Sequence, residues 1–398
     1  MEKSYLTDVF SIWVLFFIYS LFLYAVFILT SIKLYKGNHN VILIYSFYYL
    51  LYTSIPVLDF FFNFVPFYPD SITYSNFLIG NTHDSSSLGY QSTEVIYNLF
   101  SYIIFKEPFL FISFQIFFFF VSSIFMYGAW TKYIGSYSPV GHRLFVVLYF
   151  AYPSMLLYIP TPLRESLFIF SFSLLIYSLF AKRKENQILM FVLGLVFLFL
   201  IRKQLALISL FYISSYLILI RLKPLWRLLI AGSTTIIAIQ VLHIFGITAS
   251  FLSGFRMWAV NNHKASGFTY GIVNWESYYD IFYSIPLLSL QYLLSPLPIL
   301  TDLNPLELSG LLLDLIYVLL LLIIVLCSLK LKAYSFWLLF ILALIVLPAG
   351  YEYFISGAVR HRIPAILILT LLASEGTRRM KFLYQYNITF RKYSIKYE

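Results

Sequence analysis

The run VFSIWVLFFIYSLFLYAVFILTSI, residues 9–32, contains no charged side chain and is followed directly by Lys33. A helix needs about 20 such residues to cross the hydrocarbon core of a bilayer. The preceding residues 1–8 lack the basic segment and the cleavage site of a signal peptide. This run therefore predicts a retained membrane-spanning helix, and the same pattern recurs along the rest of the chain.

The overall composition excludes an ordinary soluble protein. Hydrophobic residues make up 61% of the 398 residues and charged residues only 11%, whereas a soluble domain carries about a quarter charged residues. In a soluble protein a net charge of +10 would suggest a nucleic-acid partner. In a membrane protein it is typical of loops that face anionic lipid, so we predict no nucleic acid. Cys327 is the single cysteine, which excludes a disulfide within the chain and a thiolate metal site.

Further apolar runs predict an all-α fold, a polytopic bundle of about 11 spans in one integral membrane domain over residues 1–398. The runs cover residues 9–32, 41–62, 109–131, 144–160, 166–181, 187–201, 204–220, 228–250, 310–329, 334–350 and 363–376. Clusters of Lys and Arg separate alternate runs, and the positive-inside rule places these clusters in the cytoplasm. The predicted orientation has the N-terminus outside and a cytoplasmic C-terminal tail, residues 378–398.

Two long segments then face outward, residues 63–108 and 250–309, with shorter outer loops near residues 160–165 and 350–362. Within the second long segment, residues 281–300 are apolar but rich in Pro, Ser and Tyr. We interpret them as a re-entrant or interfacial helix because a full span would invert the charge alternation.

Several basic residues lie on this outer side, where a membrane protein usually places few of them. They include Arg164, Arg202, Arg256, Arg360 and Arg362. A guanidinium held near the bilayer core is costly unless it has an anionic partner, and its planar donor pairs suit phosphate. The residues therefore predict binding sites for the diphosphate of a lipid. A helix-capping ion pair at Arg164 and snorkelling of Arg202 to headgroups are the alternative interpretations.

Candidate acid–base residues accompany these arginines. Glu165 follows Arg164, Glu352 precedes the last predicted span, His361 lies between Arg360 and Arg362, and Asp70 lies in the first long outer segment. Group transfer to a hydroxyl needs a base, and cations stabilise a departing diphosphate. The sequence does not single out one base among these residues. It contains no glycine-rich nucleotide loop and no carboxylate cluster with metal-binding spacing, so we predict neither a metal nor a cofactor.

The order of these features resembles that of Wzy-type O-antigen and capsule polymerases and of EpsG-like exopolysaccharide polymerases. The matching pieces are DSITY at residues 70–74, EVIYNLF at 94–100, YPS at 152–154, LRESLF at 163–168, Arg202 between short runs, and RHRIP at 360–364. The chain departs from the EpsG-like pattern because no arginine shortly precedes Asp70.

The resemblance implies a bacterial inner-membrane glycosyltransferase that polymerises glycan repeats linked to undecaprenyl diphosphate at the outer face. It also implies lipid-linked glycan as substrate, with a chain-length regulator and a flippase as further partners. Inverting and retaining stereochemistry both stay open. The alternatives are a flippase or transporter for the lipid-linked glycan, for which duplicated halves are expected, and a membrane acyltransferase, for which His243 is the candidate.

Overall fold

The computed structural model describes residues 9–35, 39–65, 68–80, 88–180, 184–219, 248–263, 273–297, 305–328 and 334–394. The predicted span over residues 228–250 falls mostly outside these residues, and His243, the acyltransferase candidate, lies outside them. The described part of the chain is all-helical, without a β-strand, which confirms the prediction of an all-α fold.

The helices of the first half of the chain are α1 (Phe10–Tyr35), α2 (His39–Phe62), α3 (Pro69–Ile79), α4 (Leu88–Ile103), α5 (Pro108–Ile134), α6 (Pro139–Phe150), α7 (Pro153–Tyr158), α8 (Glu165–Leu179) and α9 (Lys184–Ile201). They are followed by α10 (Lys203–Leu219), α11 (Ala249–His263), α12 (Tyr278–Leu294), α13 (Pro305–Ser328), α14 (Ser335–Tyr351), α15 (Ile355–His361) and α16 (Ile363–Ser394).

Within the described residues, four helices are long and apolar enough to cross a membrane, namely Phe10–Lys33, His39–Phe62, Pro108–Ile134 and Leu308–Ser328. All four coincide with predicted spans. Shorter apolar helices cover Pro139–Phe150, Glu165–Leu179, Gln187–Ile201 and Ser335–Tyr351. These apolar helices indicate a membrane protein.

The prediction of one helix over residues 144–160 is wrong in detail. Helix α6 ends at Phe150 and the short α7 begins at Pro153. Proline has no N–H to donate to the preceding turn and disfavours helical geometry in the residue before it. Tyr152 accordingly has an extended backbone, with φ −65° and ψ 114°. The prediction also gave residues 63–108 as a loop, whereas α3 and α4 lie within it.

The fold divides into two compact units. Unit 1 comprises Met1–Ala206, Leu321–Leu329 and Thr370–Glu398, and unit 2 comprises Leu207–Leu320 and Lys330–Leu369. In unit 1, α5 is the central helix and contacts α1, α2, α3, α6 and α8. Aromatic side chains fill its surroundings, for example Phe120, whose ring stacks on that of Phe150 with centroids 4.1 Å apart.

Helices α8 and α9 of unit 1 approach closely at Gly194. A Cβ added to Gly194 would lie 2.8 Å from the backbone nitrogen of Leu175. A glycine here lets the two backbones come within a distance that any other side chain would prevent.

A buried histidine links α6 to α2 and α5 in the same unit. The His142 ring nitrogens lie 3.3 Å from the Tyr45 hydroxyl and 3.1 Å from the Tyr137 hydroxyl. The His142 ring also stacks on Tyr127 of α5, with ring centroids 4.1 Å apart. The buried imidazole of α6 therefore has polar partners inside the protein.

In unit 2, α12 packs against α14 and α15. The sequence predicts an interfacial or re-entrant helix over residues 281–300, and the observed helix is Tyr278–Leu294. Ser277 and Asp280 cap its N-terminus by accepting hydrogen bonds from each other's backbone N–H groups, which satisfies donors that the helix leaves unpaired. Trp275 joins the segment before it to α11, because its backbone N–H donates to Ser253 Oγ at 3.0 Å.

Candidate functional site

Arg164 and Glu165 form the start of α8, as the sequence predicts. Glu165 is fully buried in the first turn of the helix, where the helix dipole favours a negative charge. Arg164 precedes it at the N-cap position, and its Nη1 donates to the carbonyl oxygen of Ile201 at 3.3 Å. This contact joins the beginning of α8 to the end of α9.

Arg202 occupies a one-residue joint between α9, which ends at Ile201, and α10, which begins at Lys203. The break lies between the two short apolar runs that the sequence places on either side of Arg202. The side chain is 5% exposed, and its Cζ lies 4.5 Å from the centroid of the Phe168 ring in α8. An aromatic face attracts a guanidinium most strongly when both are desolvated.

Buried tyrosines surround the start of α8. Tyr97 of α4 stacks on Tyr74 of α3 with centroids 5.0 Å apart. Burial raises the pKa of Tyr97 well above its usual value, and the neighbouring Tyr74 and Glu165 act in the same direction. Gln115 of α5 donates through Nε2 to the carbonyl oxygen of Leu163. We define Arg164, Glu165, Arg202, Tyr97 and Gln115 as the unit 1 cluster.

Asp70, a candidate base, lies half-buried in the first turn of α3. The same helix carries Tyr74, which lies one turn further on. An acidic side chain in this position stabilises a helix N-terminus, and this structural role accounts for the residue type without a catalytic one.

Arg256 of α11 lies in unit 2 and is 2% exposed. Its Nη1 donates to the carbonyl oxygens of Ala349 and Gly350, at 3.2 and 2.9 Å. These carbonyls belong to the last turn of α14, where the partial negative charge of the helix favours a cation. The Cζ of Arg256 also lies 5.9 Å from the ring centroid of Trp275.

Glu352 follows the end of α14 and pairs with His361. Its Oε2 lies 2.6 Å from His361 Nδ1, and its Oε1 accepts from the backbone N–H of Phe354 at 3.1 Å. The Glu352 side chain is 7% exposed and that of His361 is 21% exposed. Burial, and secondly the Glu352 charge, raises the pKa of the neighbouring Tyr353 hydroxyl.

Gly357 leaves the space that the Glu352 carboxylate occupies. A Cβ added to this glycine would lie 2.6 Å from Glu352 Oε1 and 2.9 Å from its Cδ. Three features therefore define the carboxylate position: the backbone of Phe354, the His361 ring and the missing side chain of Gly357. We define Glu352, His361, Arg256, Arg360 and Gly357 as the unit 2 cluster.

Arg360 and Arg362 flank His361 but have different surroundings. Arg360 is half-exposed in α15. Arg362 is fully buried and forms an ion pair with Asp314 of α13. Its Nη1 also donates to the carbonyl oxygens of Tyr292, Leu293 and Ser295, at 3.4, 2.6 and 3.2 Å. Asp314 lies inside the apolar run of residues 310–329, and the ion pair gives its carboxylate a polar partner outside its own helix.

Four residues of the two clusters and their surroundings were not predicted from the sequence: Tyr97, Gln115, Phe168 and Gly357. Gln115 could have been found from the sequence, because it is a lone amide inside the long apolar run of α5. Tyr97 and Phe168 carry no signal in a chain with 35 Tyr and 42 Phe. The role of Gly357 depends on a carboxylate that only the fold brings beside it.

The chemistry available differs between the two clusters. The unit 1 cluster combines two guanidinium groups with a buried carboxylate, and the unit 2 cluster contains a carboxylate–imidazole pair whose Nε2 is not used in the contact with Glu352. No family model matches this chain, and neither a curated protein nor a solved structure matches it.

Proposed function

We propose that the chain is a membrane glycosyltransferase that polymerises oligosaccharide repeats carried on undecaprenyl diphosphate. The observation that carries the proposal is the Glu352–His361 pair at 2.6 Å, beside Arg360 in the same short helix. A carboxylate that fixes one imidazole nitrogen leaves the other as a base of defined direction. Glycosyl transfer to a hydroxyl needs such a base.

In this proposal His361 Nε2 accepts the proton of the acceptor sugar hydroxyl. The hydroxyl oxygen forms a bond to the anomeric carbon of the donor, and the bond from that carbon to the diphosphate oxygen breaks. The electron pair leaves with the diphosphate. Glu352 stabilises the imidazolium that forms, because its carboxylate lies against Nδ1.

The arginines are proposed to bind the phosphate groups of the lipid-linked substrates. Arg164 and Arg202 would do so in unit 1, and Arg256 and Arg360 in unit 2. The burial of Arg202 and Arg256 supports this proposal, since a guanidinium in an apolar setting is stabilised by an anionic ligand. Arg362 already holds the Asp314 carboxylate, so we assign it no phosphate.

The proposal places the chain in a bacterial inner membrane with about 11 spans, the N-terminus outside and the tail from residue 378 in the cytoplasm. The lipid-linked glycan and the bilayer are its partners, together with a chain-length regulator and a flippase. Both clusters would then face outward.

The lipid-linked products of a strain that lacks the protein test this function. We expect single repeats to accumulate on lipid at the outer face, where a periplasmic glycosidase or an added lectin detects them. Accumulation at the inner face would instead identify a flippase and contradict the proposal.

Variants of the base and the arginines test the site. Glu352→Gln and His361→Gln should reduce polymer formation at least about 100-fold, the usual contribution of a general base. His39→Gln, at an exposed histidine of α2, is the matched control and should retain full activity.

Arg164→Lys and Arg202→Lys should also lower polymer yield, because an ammonium does not offer the planar pair of donors. Arg143→Lys, on the predicted cytoplasmic side, should not. Normal polymer from both lysine variants at Arg164 and Arg202 would show that these residues act only as general positive charge.

A further inference from the structure

Arg362 occupies the one-residue joint between α15, which ends at His361, and α16, which begins at Ile363. Its backbone N–H donates to Ala358 at 3.0 Å, and its carbonyl accepts from Ile366 at 3.0 Å. The joint therefore belongs to the hydrogen-bonded turns on both sides. Whatever holds the Arg362 side chain also determines where the neighbouring His361 lies.

The side chain is held from two directions. Asp314 of α13 binds Nη2, and the carbonyls of Tyr292, Leu293 and Ser295 at the end of α12 accept from Nη1. The end of a helix carries a partial negative charge, so four acceptors and a helix dipole act on one buried cation. A guanidinium bound at both amino groups has a defined position as well as a favourable energy.

The first turn of α15 is attached to the same place. Ser295 Oγ lies 3.5 Å from the carbonyl oxygen of Ile355, the first residue of α15. Because α15 has only seven residues, contacts at its first turn and at the joint after its last residue determine the position of the whole helix. The direction of the His361 ring toward Glu352 follows from that position.

We infer that Arg362 and Asp314 are positioning residues that hold His361 in the ion-pair contact with Glu352. The catalytic part of this inference rests on the proposed function, in which His361 is the base. Neither residue touches substrate in this assignment. They act through α15. Removing either side chain should shift His361 away from Glu352 while the protein stays folded.

Nitrogen-15 NMR of histidine-labelled protein in detergent micelles tests the inference without any activity assay. At alkaline pH, where the imidazole is neutral, the nitrogen shifts report which ring nitrogen carries the proton. His361→Gln identifies the signal among the six histidines of the chain. The wild type should show His361 protonated at Nδ1, since this nitrogen faces the Glu352 carboxylate.

Asp314→Asn should convert this signal to a mixture of the two tautomers. Gly357→Ala, which places a Cβ against the carboxylate, should do the same and shows that the signal responds. Glu375→Gln is the matched control. It removes a buried carboxylate that accepts from Arg378 and Arg379 in unit 1, and the His361 signal should stay as in the wild type.

An unchanged Nδ1-protonated signal in Asp314→Asn, with only a lower melting temperature, would overturn the inference and leave Arg362 as a structural anchor. Should that variant not reach the membrane, Arg362→Lys decides by the same signal, because it retains the charge beside Asp314 and loses carbonyl contacts. A wild-type signal without Nδ1 protonation also overturns it. Failure of the polymer assays with the expected NMR result would instead reject the proposed function alone.

Discussion

Arg202 and Arg362 both occupy a single residue between two helices, and both are buried. Arg202 lies over the Phe168 ring at 4.5 Å, whereas Arg362 binds the Asp314 carboxylate and three helix-end carbonyls. An aromatic face attracts a guanidinium without fixing its rotation, whereas directed hydrogen bonds fix both its position and its rotation. The same residue type in the same kind of joint therefore lies over an aromatic ring in unit 1 and binds a carboxylate and helix-end carbonyls in unit 2.

Removal of the carboxylate beside Arg362 should have the largest effect on stability. Asp314→Ala leaves Arg362 as a buried charge without its carboxylate, and we expect a loss of about 3–5 kcal/mol in the free energy of unfolding. Reversible unfolding in mixed micelles measures this. Glu276→Ala, at an exposed carboxylate of the same unit, should change stability by less than about 0.5 kcal/mol. Equal losses in both variants would contradict the comparison.

The packing of α8 against α9, which precedes the Arg202 joint, should be sensitive to added side-chain volume at Gly194. Gly194→Ala places a methyl group 2.8 Å from the Leu175 backbone nitrogen, and overpacking of this kind costs about 1–3 kcal/mol. Gly254→Ala in α11 is the control, because nothing lies within 4 Å of its added Cβ. That variant should be neutral or slightly stabilising, since glycine weakens a helix interior. Thermal melts of the two proteins decide between these outcomes.

The contact between the Phe168 ring and Arg202 should contribute less to stability than the close packing at Gly194. Phe168→Leu retains apolar volume but removes the ring beneath Arg202, and we expect a loss of about 0.5–2 kcal/mol beyond packing. A double-mutant cycle with Arg202→Gln isolates the coupling between the two side chains. A coupling energy of zero would mean that the ring serves Arg202 only as a filler of space.

The smallest effect concerns the other end of α12, the helix whose C-terminus Arg362 holds. Hydrogen bonds from the Ser277 backbone and side chain lower the pKa of Asp280. Its contribution is therefore present above the usual pKa of an aspartate and is lost as the pH falls through the lowered folded value. Amide exchange in the first turn of α12, corrected for intrinsic rates, should rise at acid pH, and Asp280→Asn should remove this dependence.

The sequence predicted the long helices well because an uninterrupted apolar run has few other ways to satisfy its backbone. The starts of α5 and α8 at Pro108 and Glu165 fell within a residue of the predicted boundaries. Helices α3 and α4 were missed because their polar residues made them look like an outer loop. The break before Pro153 had a visible signal, which the apolar composition on both sides obscured.

The partners of the charged residues were not predictable from one sequence. Arg362 follows two other basic residues, Arg360 and His361, in the sequence, and nothing nearby indicates that Asp314 on another helix is its partner. Glu352 and His361 were both candidates, but their pairing depends on a turn that includes Gly357. Long-range pairs of this kind depend on packing between helices, which periodicity does not report.

The break between α6 and α7 also has a consequence for how the protein is made. Helix α6 has 12 residues, about 18 Å of helix, against about 30 Å of hydrocarbon in a bilayer. A translocon samples segments for hydrophobicity as they emerge, and this one is too short to be accepted by itself. We expect it to enter the membrane together with α5, to which residues 135–138 join it. The His142 ring of α6 would then contact the Tyr45 and Tyr137 hydroxyls during synthesis.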